Sequence, residues 1–242
     1  MSPTSAMTQS KVTTRQSEWQ RFLEWTDAHG DSRWVFRGLA DDSYLLTPTA
    51  GRVDNYKLAS EISVLDVFRR RASESLEGHQ HLGNWDALAL AQHHGAPTRL
   101  MDWTSNPLVA CYFAVSGAPA SPDAAAHVVA HRVQTRSVID TARHADPFDC
   151  PRDGFVLPRF LTYRLSHQSG LFSVHQDPTE PFVDPDDHEN RHFFIDADCR
   201  SYFQRKLFYY GVDPQRIMGG LDGIGARLKW QYDRNIGLGA VR

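Results

Sequence analysis

Apolar positions along this chain switch between two periods, and the switches mark its elements. Ser17-Glu18-Trp19-Gln20 has the spacing of a capping box. Trp19, Phe22, Leu23 and Thr26 follow at helical intervals until Gly30, which predicts a first helix. The period then drops to two: Trp34 and Phe36 fall on one face, Val35 and Arg37 on the other. This predicts a strand that ends in an arginine, with one apolar neighbour on its own face and a glycine behind it. Leu58, Ile62, Leu65 and Phe68 or Arg69 mark a second helix, which carries Glu61 near its start. Trp85 to His94 is a third, with Asn84 as N-cap and Gly95 before Pro97 as its stop. Asn106-Pro107 opens a fourth, with Leu108, Cys111, Tyr112 and Val115 as its buried stripe, so Thr104 and Ser105 stand just before a helix N-terminus.

After an Ala/Pro/Ser loop the pattern turns to strands, at His127–Val133, Phe160–Leu165, Leu171–His175 and His192–Ile195. The acidic, Pro-rich stretch "DPTEPFVDPDDHEN" reads as a long solvated loop. It lacks the glycine and the terminal ligand spacing of a calcium-binding EF-hand. Helices return at Ser201–Tyr210 and Gly223–Tyr232. The order of elements gives an α+β class, with no internal repeat and no linker: one domain over residues 17–242, preceded by a disordered Ser/Thr-rich tail, residues 1–16.

Composition narrows the function classes. With 242 residues, 41% of them apolar, the chain can bury a sizeable core. A formal charge of -3 argues against a protein that coats nucleic acid or a membrane surface, while leaving room for a local basic pocket. Three widely spaced cysteines, Cys111, Cys150 and Cys199, suggest neither a disulfide framework nor a zinc site. No signal-like or membrane-spanning run is seen, so a cytoplasmic location without membrane attachment is expected.

The chemistry concentrates in Arg37-Gly38, Arg99, Asp102, Thr104 and Ser105. A helix opening at Pro107 offers backbone N–H groups and partial positive charge to a phosphate, and two arginines add forked donors. Arg37 could instead form a surface salt bridge at its strand end. Asp102 is expected to orient Arg99 across a short bend in "TRLMDW". His79/His81 and His93/His94 lack a third ligand at metal-binding spacing, so no metal is expected, and His94 is expected to line the pocket beside Gly95.

"WVFRG", "LALAQHHGAPTRLMDWTSNPLVACYFAV", "RLSHQSGLFSVHQDP" and "KLFYYGVDPQRIMGGLDGIGARLKW" resemble, in order, segments of the FRG domain family, named for its Phe-Arg-Gly motif. That layout is similar to ADP-ribosyltransferases of the Arg-Ser-Glu type, which implies a split β core flanked by helices and NAD as substrate, with no metal. On this resemblance Arg37 grips the NAD phosphates, with Gly38, His94, Arg99, Asp102 and Thr104 around the dinucleotide. Thr104 or Ser105 holds the nicotinamide ribose, and Gln168 stands where the transferase pattern has glutamate. An amide can hold a ribose hydroxyl but cannot take a proton, so the substitution leaves three routes open: a target that needs no strong base, a carboxylate supplied by Glu61 or Asp102, or no transfer at all. The implied activity is ADP-ribosyl transfer to a macromolecular acceptor, protein or nucleic acid, as in a toxin or phage-defence effector with a neutralising partner protein. A non-catalytic module that binds a nucleotide or phosphate through the same arginines is the alternative. An RNA-processing nuclease built on His93, His94 and His167 is a third reading, for which no histidine pair has a decisive spacing.

Overall fold

A computed structural model describes residues 3–72, 82–157, 170–183 and 191–237. Its centre is a six-stranded antiparallel sheet. The strands are β1 (Trp34–Leu39), β2 (Leu100–Thr104), β3 (Ala126–Arg132), β4 (Gly154–Val156), β5 (Gly170–Val174) and β6 (Arg191–Ile195), in the order β4-β5-β2-β1-β3-β6. The helices described are α1 (Pro3–Ala28), α2 (Leu58–Ala72), α3 (Asn84–His93), α4 (Pro107–Ser116), α5 (Arg200–Tyr209), α6 (Pro214–Met218) and α7 (Gly220–Asp233).

The strand alternation predicted for β1 holds and decides what covers each side of the sheet, but the strand does not end at Arg37: Gly38 and Leu39 go on pairing with β3. Phe36 joins Trp19 and Phe22 of α1, Val109 and Cys111 of α4, and Phe203 of α5 in one core. Leu100, Phe172 and Val174, on the same sheet face further along, pack against Leu65 of α2 and Trp85 and Leu88 of α3. Val35, Leu39, Met101, Trp103 and Val129 face the other way, where Leu46 and Phe182 from irregular segments cover them. Helices therefore sit on one face of an antiparallel sheet, as an α+β fold requires.

One junction in the sheet is different from the rest. β1 pairs with β3 over six residues and β2 with β5 over five, but β1 and β2 pair only at Phe36 and Thr104. Beyond that point the two strands separate, so the sheet is split beside Arg37, Gly38 and Asp102. Helix α4 lies directly under the split. A Cβ on Gly38 would overlap the Ala110 carbonyl oxygen and the Ala114 amide nitrogen, so only glycine lets strand and helix backbones come this close.

Several local expectations change. Helix α1 begins at Pro3 and so includes residues expected in the tail. Ser17 lies inside it, with its hydroxyl donating to the Thr14 carbonyl at 2.8 Å instead of capping an N-terminus. Gly83, not Asn84, is the N-cap of α3, and the Asn84 side-chain oxygen accepts from Arg69 at 2.7 Å. The stretch read as a short bend is strand β2, whose apolar residues are interrupted by Asp102. Asp213 caps the short helix α6, accepting from the Arg216 amide at 3.0 Å, and α7 starts at Gly220. The predicted strand Phe160–Leu165 lies outside the described residues. Cys111, Cys150 and Cys199 are free and buried, and burial pushes their thiols up. Among the described residues no helix is long and apolar enough to cross a membrane.

Candidate functional site

The split between β1 and β2 opens into a cavity of about 230 Å³. Its walls are Arg37 and Gly38 of β1 and Asp102, Trp103 and Thr104 of β2. Val109, Ala110 and Phe113 of α4 form its base, and Gln92 and His93 close it at the end of α3. Four of the residues singled out from the sequence, Arg37, Gly38, Asp102 and Thr104, are thus brought together.

Arg37 bridges the split. Its Nη1 donates to the backbone carbonyl of Asp102 at 2.5 Å, across the gap between the two strands. Its Nε is buried and has no protein partner among the described residues. Burial, and secondarily the charge of Arg52, pull its pKa down while the Asp102 carboxylate opposes them, yet a guanidinium remains charged. A charged group with an unmet buried donor at the edge of a cleft is suited to an anionic ligand.

Asp102 does not orient Arg99. Residues three apart on an extended strand point to opposite faces, and Arg99, at the mouth of β2, turns to α2 instead. There its Nη2 meets Glu61 Oε2 at 3.0 Å, its Nε meets Glu61 Oε1 at 3.2 Å and its own amide donates to Glu61 Oε1 at 2.8 Å. Tyr56 completes the group, donating to Glu61 at 2.6 Å and accepting from Arg99 at 3.0 Å. Burial works against the Arg99 charge, but hydrogen bonds and attraction from Glu61 raise its pKa overall. Burial, then Glu61, push the Tyr56 phenol up to about 12. This is a structural ion pair outside the cleft.

Asp102 is instead held by a chain of side chains. Gln92 Nε2 donates to Asp102 Oδ2 at 2.8 Å, and the Thr98 hydroxyl donates to Gln92 Oε1 at 2.7 Å. Gln92 and His93 were not singled out as cleft residues. The signal was a polar residue directly after the buried run Ala87 to Ala91. His94, one helical step further on, turns into a separate groove with Phe68 and Arg71 of α2, because adjacent helical residues point about 100° apart.

The α4 N-terminus is built as predicted but is already satisfied. Asn106 Oδ1 accepts from the Leu108 amide at 2.9 Å, the Asn106 carbonyl takes the amides of Val109 and Ala110, and Pro107 has no N–H. The N–H groups expected to hold phosphate there are therefore used within the helix. Thr104 Oγ1 accepts from the Asn106 amide at 3.1 Å, which fixes its hydroxyl at the cleft wall, while Ser105 is exposed and does not line the cleft. Gln168 and His167 lie outside the described residues. No group of three or more metal-binding side chains occurs among the described residues.

No curated protein and no solved structure matches the chain. Residues 32–123 match the FRG domain family, a span that runs from just before β1 to the loop after α4 and contains every residue named here as lining the cleft.

Proposed function

We propose that the protein is an NAD-dependent ADP-ribosyltransferase acting on a macromolecular target, with the split between β1 and β2 receiving the nicotinamide end of NAD. The observation that carries this reading is Arg37, a forked cation at the cleft edge with a buried donor that no protein group among the described residues meets. A cavity of about 230 Å³ is smaller than most drug-sized ligand sites, so it suits one end of a dinucleotide while the phosphates reach outward. Phe36 and Phe113 offer apolar walls to a ring, Gln92 offers a carboxamide, and Arg37 matches a pyrophosphate.

Cleaving the nicotinamide–ribose bond develops positive charge at the sugar. Catalysis then consists of holding the phosphates and placing fixed acceptors near that charge. Incubating the pure protein with NAD and following free nicotinamide tests the proposal. A toxin or phage-defence role fits such an activity, and labelled ADP-ribose appearing on protein or on nucleic acid would identify the acceptor.

A non-catalytic nucleotide-binding module is the second reading. It draws on the cleft's single carboxylate among the lining residues, Asp102, one oxygen of which Gln92 already takes. Saturable NAD binding with no nicotinamide released would select it.

A further inference from the structure

We infer that Asp102 is the carboxylate that acts at the ribosyl carbon, and that Thr98 and Gln92 are positioning residues that set it. This inference rests on the transferase reading proposed above.

The chain Thr98–Gln92–Asp102 has a direction. The Thr98 hydroxyl, on a residue 1% exposed, accepts from the Leu100 amide at 3.1 Å and gives its one hydrogen to Gln92 Oε1. With its oxygen engaged there, Gln92 presents its NH₂ end to Asp102 Oδ2 at 2.8 Å. An amide NH₂ can only donate, so the oxygen facing it carries no proton. Oδ1 lies outside that bond, on a side chain that lines the cleft. The main chain of the same residue is held from the other strand by Arg37. Asp102 is thus fixed through both its backbone and its carboxylate, at the split where Arg37 stands.

The other carboxylate that the sequence offered for this role is engaged elsewhere. Glu61 is enclosed with Arg99 and Tyr56 and does not line the cleft. Asp102 therefore supplies what a glutamine cannot. As the C1′–N bond breaks, both its electrons leave with the ring nitrogen as neutral nicotinamide. A lone pair of water, or of an acceptor hydroxyl, forms the new bond to C1′. The proton that this oxygen sheds passes to Asp102 and then to solvent. Nothing is oxidised or reduced.

The test uses the full chain, NAD and release of nicotinamide into water. Asp102→Asn keeps the side-chain shape and an oxygen for Gln92, so the fold is retained. It is expected to lower kcat by on the order of 100-fold without changing NAD binding, and Asp102→Glu is expected to recover part of the rate. Thr98→Val, which keeps shape but loses the hydroxyl, should lower kcat at unchanged KM, and Thr98→Ser should restore it. If the wild-type protein releases no nicotinamide, the transferase reading falls and this inference with it. If the wild type is active and folded Asp102→Asn turns over NAD at the same rate, the assignment of Asp102 alone is overturned. A Thr98→Val defect that serine does not repair would remove Thr98 from the positioning role.

Discussion

Arg99 and Glu61 form an ion pair at 3.0 Å with side chains 2% and 1% exposed, tying the mouth of β2 to the first turn of α2. Neither charge has water to fall back on. Removing one partner leaves the other buried and uncompensated, a change that costs about 3–5 kcal/mol. Glu61→Gln is therefore expected to lower the unfolding free energy by about that amount. NAD binding per folded molecule should be unchanged, because the pair stands outside the cleft. Denaturant unfolding and NAD titration on the same preparation check both halves; lost binding at full stability would place Arg99 in the ligand site after all.

Arg37→Lys should separate charge from geometry at the cleft. Lysine keeps the positive charge and can reach one acceptor, but it cannot hold the Asp102 carbonyl and a pyrophosphate at once as a fork does. A charge-assisted hydrogen bond contributes about 1.5–3 kcal/mol, so NAD affinity should fall by roughly 10- to 100-fold. Calorimetric titration of the folded variant measures it, and wild-type affinity would take Arg37 out of the proposed site.

The contrast between Arg37 and Arg99 shows how much the sequence could reveal. Arg37 was legible as a strand cation because a period-two pattern runs through it, although β1 continues to Leu39 and does not end there, and the Asn106-Pro107 cap was legible because capping is local. The partner of Arg99 was not, because Glu61 lies 38 residues away and only the docking of α2 brings it near. Strand β2 was missed because its alternation is interrupted by Asp102, a polar residue set in an otherwise buried strand by Gln92 and Arg37. The divergence of β1 from β2, which makes the cleft, is a tertiary property that no local pattern encodes.

Gly38 has a packing role that can be measured apart from ligand binding. A methyl group there would meet two backbone atoms of α4, which cannot swing aside as a side chain could. Gly38→Ala should therefore push α4 from the sheet and destabilise the fold by about 3 kcal/mol, at the upper end of overpacking costs. The change should appear as a lowered thermal midpoint. An unchanged midpoint would mean that β1 and α4 do not pack this closely.

Acid sensitivity should begin well above the carboxylate range because of two buried histidines. His175 is fully buried against Phe182 with the Glu180 backbone beside its ring, and neither ring nitrogen of His127 has a hydrogen-bond partner among the described residues. Burial is the main cause holding His175 down at about 3, with the charges of Arg37 and Arg99 adding to it and the Glu180 backbone opposing. Burial, then His192, hold His127 at about 4 against the opposing pull of Asp42 and Asp41. Both values lie below that of an unfolded histidine, about 6.5, so the unfolded chain binds protons first as pH falls. The stabilising effect of keeping these rings neutral is complete above about pH 6.5 and is lost progressively toward pH 4 and 3, at up to about 1.4 kcal/mol per pH unit for each ring. Asp31 and Asp41, held at about 2 chiefly by side-chain hydrogen bonds from Arg33 and Ser43, lose their effect only below about pH 4. The interval from about pH 6.5 to 4.5 therefore isolates the histidines. Urea midpoints should be level above that interval and fall through it. His175→Phe, which suits an aromatic site and cannot titrate, should make the fall shallower by up to one proton's worth. Midpoints that stay level down to about pH 4.5 would show that neither ring is held neutral by burial.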